Sequence, residues 1–132
     1  MPTLALCTAI SLRKKAADII LPDIPKVGGL SEARKIANLA EMYYAPFASH
    51  CVSSPIGMIG AGHVCASIPN FLVLEFHGLR SPGWNDLIVG DEPLIQNGYI
   101  KLPEKRGLGV ELNEAVAPEH LHTRQSTSFF DD

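Results

Sequence analysis

The sequence predicts an α/β fold: about three parallel strands with helices between them, then an irregular C-terminal segment. Three observations carry this. Short, continuously apolar runs end near Leu21, Ser49 and Leu74, at intervals of 28 and 25 residues. Each interval holds one helical pattern of a dozen or so residues, so the strands are joined by crossovers and run parallel. After Glu75 the rhythm stops, and Pro82-Gly83 and Pro93 mark turns instead.

Taken in order, Met1–Leu12 is apolar, and periodicity does not separate helix from strand there. Asp18–Leu21 reads as a short buried strand closed by Pro22, with Asp23 at its carboxyl end. A loop through Pro25 to Gly29 follows, with Ser31 as the expected N-cap of a helix. Ala33, Ile36, Ala37 and Ala40 give that helix a stripe of mostly small side chains, suited to lying close on a sheet. The helix fades near Tyr43-Tyr44, before Pro46. Phe47-Ala48 is the next strand, ending at Ser49-His50. Ser54-Pro55 has the pattern of an N-cap followed by proline in the first turn, so a second helix is expected over 55–67. Gly57, Gly60 and Gly62 cost that helix stability, and their use is close approach to a neighbour. Phe71–Leu74 is a third strand, closed by Glu75. Extended pieces are expected at Gly98–Pro103 and Gly107–Leu112, a helical turn over Glu114–Leu121, and a loose tail over 122–132.

Composition narrows the function. With 132 residues there is room for one ordinary domain. Hydrophobic residues at 46% can build a core, and charged residues at only 19% argue against disorder. A net charge of -3 offers no basic field for nucleic acid. No apolar stretch reaches the roughly 18 residues of a membrane span, and Lys and Arg follow the apolar N-terminal segment, the reverse of a secretory signal. Cys7, Cys51 and Cys65 contain no CxxC and no metal-site spacing, so a reduced chain in the cytoplasm is expected.

Apolar parallel strands want cover on both faces and a neighbour on both edges. Either the C-terminal segment folds back as cover, or the neighbours lie outside these residues. A parallel barrel needs eight strands and roughly 250 residues, whereas a small open α/β domain fits the length.

Asp23, His50 and Glu75 stand at three successive strand ends, and sites in parallel α/β proteins lie outside such ends. His50 is the natural proton-transfer group at neutral pH. Asp23 could accept a hydrogen bond from its ring and fix its tautomer. Glu75 could act as a second acid or bind a substrate oxygen. The bland alternative for each is a loop residue or a cap.

Several stretches resemble one family. The run from Asp18 through Pro22, Asp23, Gly28 and Gly29 to Ala37 is similar to the sixth barrel strand and its loop in the mandelate racemase/muconate lactonizing enzyme branch of the enolase superfamily. The acid-sugar dehydratases, of gluconate or galactonate type, are the nearest members. Tyr44–His50 resembles the seventh strand, Ala66–Glu75 the segment through the eighth, and 98–103 with 107–112 the closing segment. The resemblance covers Ala16 to Leu121 and implies the C-terminal portion of a (β/α)8 TIM-type barrel. On that basis residues 1–15 are an unmatched N-terminal segment, 16–76 a partial barrel with strands six to eight, and 77–121 a closing segment.

The same resemblance implies roles. His50 matches the histidine base, Asp23 its dyad partner, and Glu75 the glutamate that hydrogen-bonds the substrate carboxylate or enediolate, so His50 and Glu75 also bind substrate. The implied reaction removes the proton beside a carboxylate and eliminates water, with Mg2+ as cofactor. The family's three Mg2+ carboxylates lie on strands three to five and its capping domain precedes the barrel, and none of these is among these residues. No metal ligand is therefore assigned here. The expectation is a fragment, from a split or truncated gene, that is inactive alone. It would act on a small-molecule sugar acid when completed, as a homo-oligomer or with a complementing N-terminal chain. A racemase or cycloisomerase of the same superfamily, or a non-enzymatic α/β domain needing a partner chain, are the alternatives.

Other polar residues carry less. Gly28-Gly29 matches no phosphate-loop pattern, and Ser49 no nucleophile elbow. Lys26 reads as an exposed loop lysine, Cys51 as a buried or lining thiol, and His63 as a packed helix histidine. His77 is a weak candidate for the pocket mouth. His120 and His122 read as surface residues, and Trp84 as a docking residue. Asp86, Asp91 and Glu92 fall in a loop beyond the last strand and cannot replace the metal carboxylates.

Overall fold

The computed structural model describes residues 4–78, 81–90 and 93–120. Asp91, Glu92, His122 and the expected tail lie outside them. The apolar N-terminal segment is a helix, α1 (Leu4–Arg13). It packs against α2 (Leu30–Met42), whose buried residues are Ala33, Ile36, Ala37 and Ala40, the stripe that periodicity predicted. Ser31 does not cap this helix. The Ala33 N–H already bonds the Gly29 carbonyl at 3.0 Å, so the first turn closes earlier, and Gly29 at the cap has φ 88° and contributes no side-chain bond. Such a φ suits glycine.

Two strands pair in parallel: β1 (Phe47–Ser49) and β2 (Phe71–Leu74), with an irregular register between Phe47 and Ala48. The expected first strand is shorter than periodicity suggests. The segment 20–23 runs parallel to β1 through bridges Ile20–Phe47 and Asp23–His50 alone. Ile20 donates to the Pro46 carbonyl at 3.0 Å, Ala48 to Ile20 at 2.9 Å and His50 to Pro22 at 3.1 Å. Pro22 has no N–H to give, which limits the ladder.

Between the strands lies α3 (Pro55–Ala66), capped as predicted: Ser54 Oγ accepts from the Gly57 N–H at 3.4 Å. Its glycines do admit neighbours. A Cβ at Gly60 would meet Leu30 at 3.3 Å, and one at Gly62 would meet Leu102 at 2.6 Å. The main core gathers Ile20, Ile24, Ile36, Phe47, Ala61 and Val64 between α2, α3 and the strands.

The C-terminal segment folds back over α3. A small antiparallel hairpin, β3 (Ile95–Gln96) and β4 (Tyr99–Ile100), takes part of the stretch expected to be extended. Ile95 and Ile100 pack with Met58, Cys51 and Trp84 in a second core. Of the 107–112 stretch, Leu112 bridges to Ile88, and the last helical turn is a 3-10 turn at Ala117–His120. His63 Nε2 is 3.1 Å from the Leu108 carbonyl, as befits a packed helix histidine. Trp84 docks the segment: its indole N–H donates to the Ser53 carbonyl at 2.9 Å, and its ring lies 4.8 Å from that of Phe76.

The described residues form an α/β layer with parallel and antiparallel strands but no closed barrel. Phe71, Leu72 and Val73 of β2 remain half-exposed, as do Ile19 and Leu21. Among the described residues the C-terminal segment thus covers α3, and no strand pairs with the outer edges of the parallel layer.

Candidate functional site

Parallel pairing fixes the site. Asp23 closes the 20–23 segment, His50 directly follows β1, and Glu75 directly follows β2, where its N–H donates to the Ser49 carbonyl at 2.8 Å. All three leave the layer at its carboxyl edge. His50 Nδ1 lies 3.1 Å from Asp23 Oδ2, and His50 Nε2 lies 3.8 Å from Glu75 Oε2. The three residues picked out by strand-end position therefore meet in one place.

The burial is graded. The Asp23 side chain is 11% exposed, His50 32% and Glu75 38%. Burial alone favours the neutral Asp23 carboxyl, but hydrogen bonds and positive charge from Lys26 and His50 outweigh it and hold the carboxyl below its ordinary range. Lys26 Nζ sits 2.7 Å from the same Oδ2 that faces His50. The lysine is thus a partner of Asp23 from the turn that follows it, where the Lys26 N–H bonds the Asp23 carbonyl at 2.9 Å. An anionic Asp23 accepts from Nδ1–H, which leaves the Nε2 lone pair of a neutral ring free on the Glu75 side.

His77 is the residue that sequence reasoning undervalued. Its N–H bonds the Cys51 carbonyl at 3.3 Å, so the extended pairing continues past β2. Residues two apart in an extended chain share a face, and His77 Nε2 lies 2.8 Å from Glu75 Oε1. The alternation Glu75-Phe76-His77 was the available signal. Cys51 and Ser49 are fully buried beside the site. Burial pushes the Cys51 thiol up, and that of Cys65 up to about 11, so neither is a thiolate nucleophile at neutral pH.

Among the described residues, the side chains grouped closely enough to hold a metal ion are His50, Glu75 and His77, whose ligand atoms lie within 4.8 Å of one another. This set does not fit Mg2+. That ion demands near-octahedral oxygen ligands, and here two of three donors are imidazole nitrogens. The Mg2+ that the resemblance implies finds no matching carboxylate cluster among the described residues.

The carboxylate–imidazole pair lies at the carboxyl edge of the parallel layer, where sites of parallel α/β proteins are found. A sequence profile of the Enolase C-terminal domain-like family matches residues 9–116. The chain belongs to this family, in the mandelate racemase/muconate lactonizing enzyme branch, close to the acid-sugar dehydratases. It is 51% identical over 110 residues to the D-xylonate dehydratase of Haloferax volcanii, covering 83% of this chain and 26% of that protein. It is 35% identical over 109 residues to the arabinonate dehydratase of Saccharolobus solfataricus, covering 83% and 29%. The fold superimposes with TM-score 0.86 and 47% identity on a mandelate racemase/muconate lactonizing enzyme-like protein from Rubrobacter xylanophilus, covering 91% and 31%. The chain spans between a quarter and a third of the length of these relatives. No helix among the described residues is long and apolar enough to cross a membrane.

Proposed function

We propose that this chain carries the base-bearing part of a Mg2+-dependent acid-sugar dehydratase acting in the cytoplasm. In this reading residues 16–76 are strands six to eight of a (β/α)8 barrel, and 77–121 close it. The metal carboxylates and the cap come from the rest of the barrel, in the same polypeptide or a complementing one. His50 Nε2 takes the proton next to the substrate carboxylate, Asp23 holds the tautomer and stabilises the imidazolium, and Glu75 hydrogen-bonds the substrate. The imidazolium then returns its proton to the 3-hydroxyl. The C2–H and C3–O bonds break, a C2=C3 enol forms and water leaves. The observation that carries the reading is the 3.1 Å pairing of His50 Nδ1 with Asp23 at adjacent parallel strand ends, with Glu75 on the other ring nitrogen.

The substrate class is an aldonic acid. Similarity to the xylonate, arabinonate and galactonate dehydratases supports this, and the 51% identity puts D-xylonate first among those to try. The half-exposed apolar side chains of β2, Phe71, Leu72 and Val73, support a strand that receives further barrel elements.

The test is a graft. This chain replaces the matching C-terminal part of the Haloferax volcanii dehydratase, and turnover of D-xylonate, arabinonate and galactonate is measured with Mg2+. We expect turnover that His50→Ala abolishes and Asp23→Asn lowers by about 10²–10⁴-fold, since an amide can donate to Nδ1 and impose the wrong tautomer. The purified chain alone is expected to show none. A folded graft without activity, or one indifferent to His50, refutes the reading, and robust His50-dependent turnover by the chain alone refutes its dependence on the remaining barrel.

A further inference from the structure

The grouping of His50, Glu75 and His77 has the donor chemistry of a different cation. Two imidazoles and one carboxylate are the protein ligands of zinc-type sites that keep an open position. The distances suit such an ion. Bonds of about 2.0–2.1 Å in a tetrahedron place ligand atoms roughly 3.3 Å apart. Here Glu75 Oε1 is 2.8 Å from His77 Nε2, and Glu75 Oε2 is 3.8 Å from His50 Nε2. One ligand atom from each of the three residues lies within 4.8 Å of the others, so small side-chain rotations close the set on an ion. The two rings lie 5.5 Å apart, centroid to centroid.

Two further features point to a ligand. Glu75 Oε2 is shielded from solvent and has no hydrogen-bond partner, a state that costs free energy and that a cation relieves. Asp23 holds the far nitrogen of His50, and a carboxylate behind a histidine orients the ring and raises its basicity as a ligand. His77 is 53% exposed, so an ion can enter from solvent and complete its coordination with water.

We propose that His50, Glu75 and His77 form a binding site for a borderline divalent cation of the zinc type, Zn2+, Co2+ or Ni2+, and not for Mg2+. The site deepens the dehydratase reading, on which its consequence rests. An ion on His50 Nε2 occupies the lone pair that would accept the substrate proton, so such metals inhibit the completed enzyme.

The experiment reads binding rather than turnover, so the metal site and the dehydratase reading stand or fall separately. The full chain, without a histidine tag, is titrated with Co2+ and followed by visible absorption, then with Zn2+ by calorimetry. One ion per chain is expected, with affinity lowered at least tenfold by His77→Ala, unchanged by His120→Ala, and unaffected by millimolar Mg2+. If His77→Ala does not fold, paramagnetic broadening of the wild-type histidine NMR signals serves instead, with His50 and His77 lost before His63 and His120. No binding, a loss below tenfold in His77→Ala, a loss in His120→Ala, displacement by Mg2+, or broadening first at His63 or His120 overturns the proposal.

Discussion

Replacing Trp84 tests how the C-terminal segment supports the site. This single tryptophan is 9% exposed, donates its indole N–H to the Ser53 carbonyl at 2.9 Å, and lies 4.8 Å from the Phe76 ring. Ser53 is three residues beyond His50, so the bond ties the C-terminal segment to the loop leaving the site. Trp84→Ala removes the packed ring and the donor together. Truncating a buried aromatic costs about 3–5 kcal/mol, and an aromatic pair contributes about 0.5–1.5 kcal/mol beyond its area. Trp84→Phe keeps most of the ring contact and removes the donor, at about 1–3 kcal/mol for a carbonyl left unpaired. Urea unfolding followed by far-UV circular dichroism measures both. The expected order is wild type, then Phe, then Ala, with the Ala variant at least about 2 kcal/mol below the Phe variant. Equal losses would mean that the hydrogen bond alone matters, and no loss in either that the segment does not brace the loop. Either result refutes the reasoning.

Two further expectations follow from titration and burial. Asp23 ionises more readily in the folded chain than its ordinary value of 3.8 because Lys26 and His50 outweigh its burial, so its contribution to stability is fully present above that value and lost as pH falls through the folded one. The stability difference between wild type and Asp23→Ala is then constant near neutrality and shrinks below about pH 4; a difference that grows in acid contradicts the assigned pairing. Of the three free thiols, Cys7 is exposed and Cys51 and Cys65 are buried, so a thiol reagent labels one equivalent quickly in the native chain and two more only on unfolding. Fast labelling of Cys51 would place it in an open cleft.

What could be read from the sequence was what local chemistry decides. The Ala33–Ala40 stripe and the Ser54-Pro55 start are set by side chains within a turn or two, and both hold in the structure. Strand ends were legible because Asp23, His50 and Glu75 each interrupt an apolar run. The first strand was overdrawn because its ladder depends on pairing with β1, which only the Ile20 and Asp23 bridges achieve beside Pro22. The helix start at Leu30 was missed because glycine dihedrals at 28 and 29, not a side-chain cap, set it. His77 was underweighted because its place depends on the Cys51 bond, a contact 26 residues away in sequence. The C-terminal hairpin was seen only as an extended piece for the same reason: its position comes from packing on α3.

In the proposed function Asp23 orients His50 so that Nε2 is the basic nitrogen. Long-range proton–nitrogen NMR of the histidine rings, on the chain at about pH 8.5 where an ordinary imidazole is neutral, measures this directly. His50 is expected to carry its proton on Nδ1 in the wild type and to shift toward the Nε2–H form in Asp23→Ala. A ring protonated on Nε2 in the wild type, or a tautomer indifferent to Asp23, contradicts it.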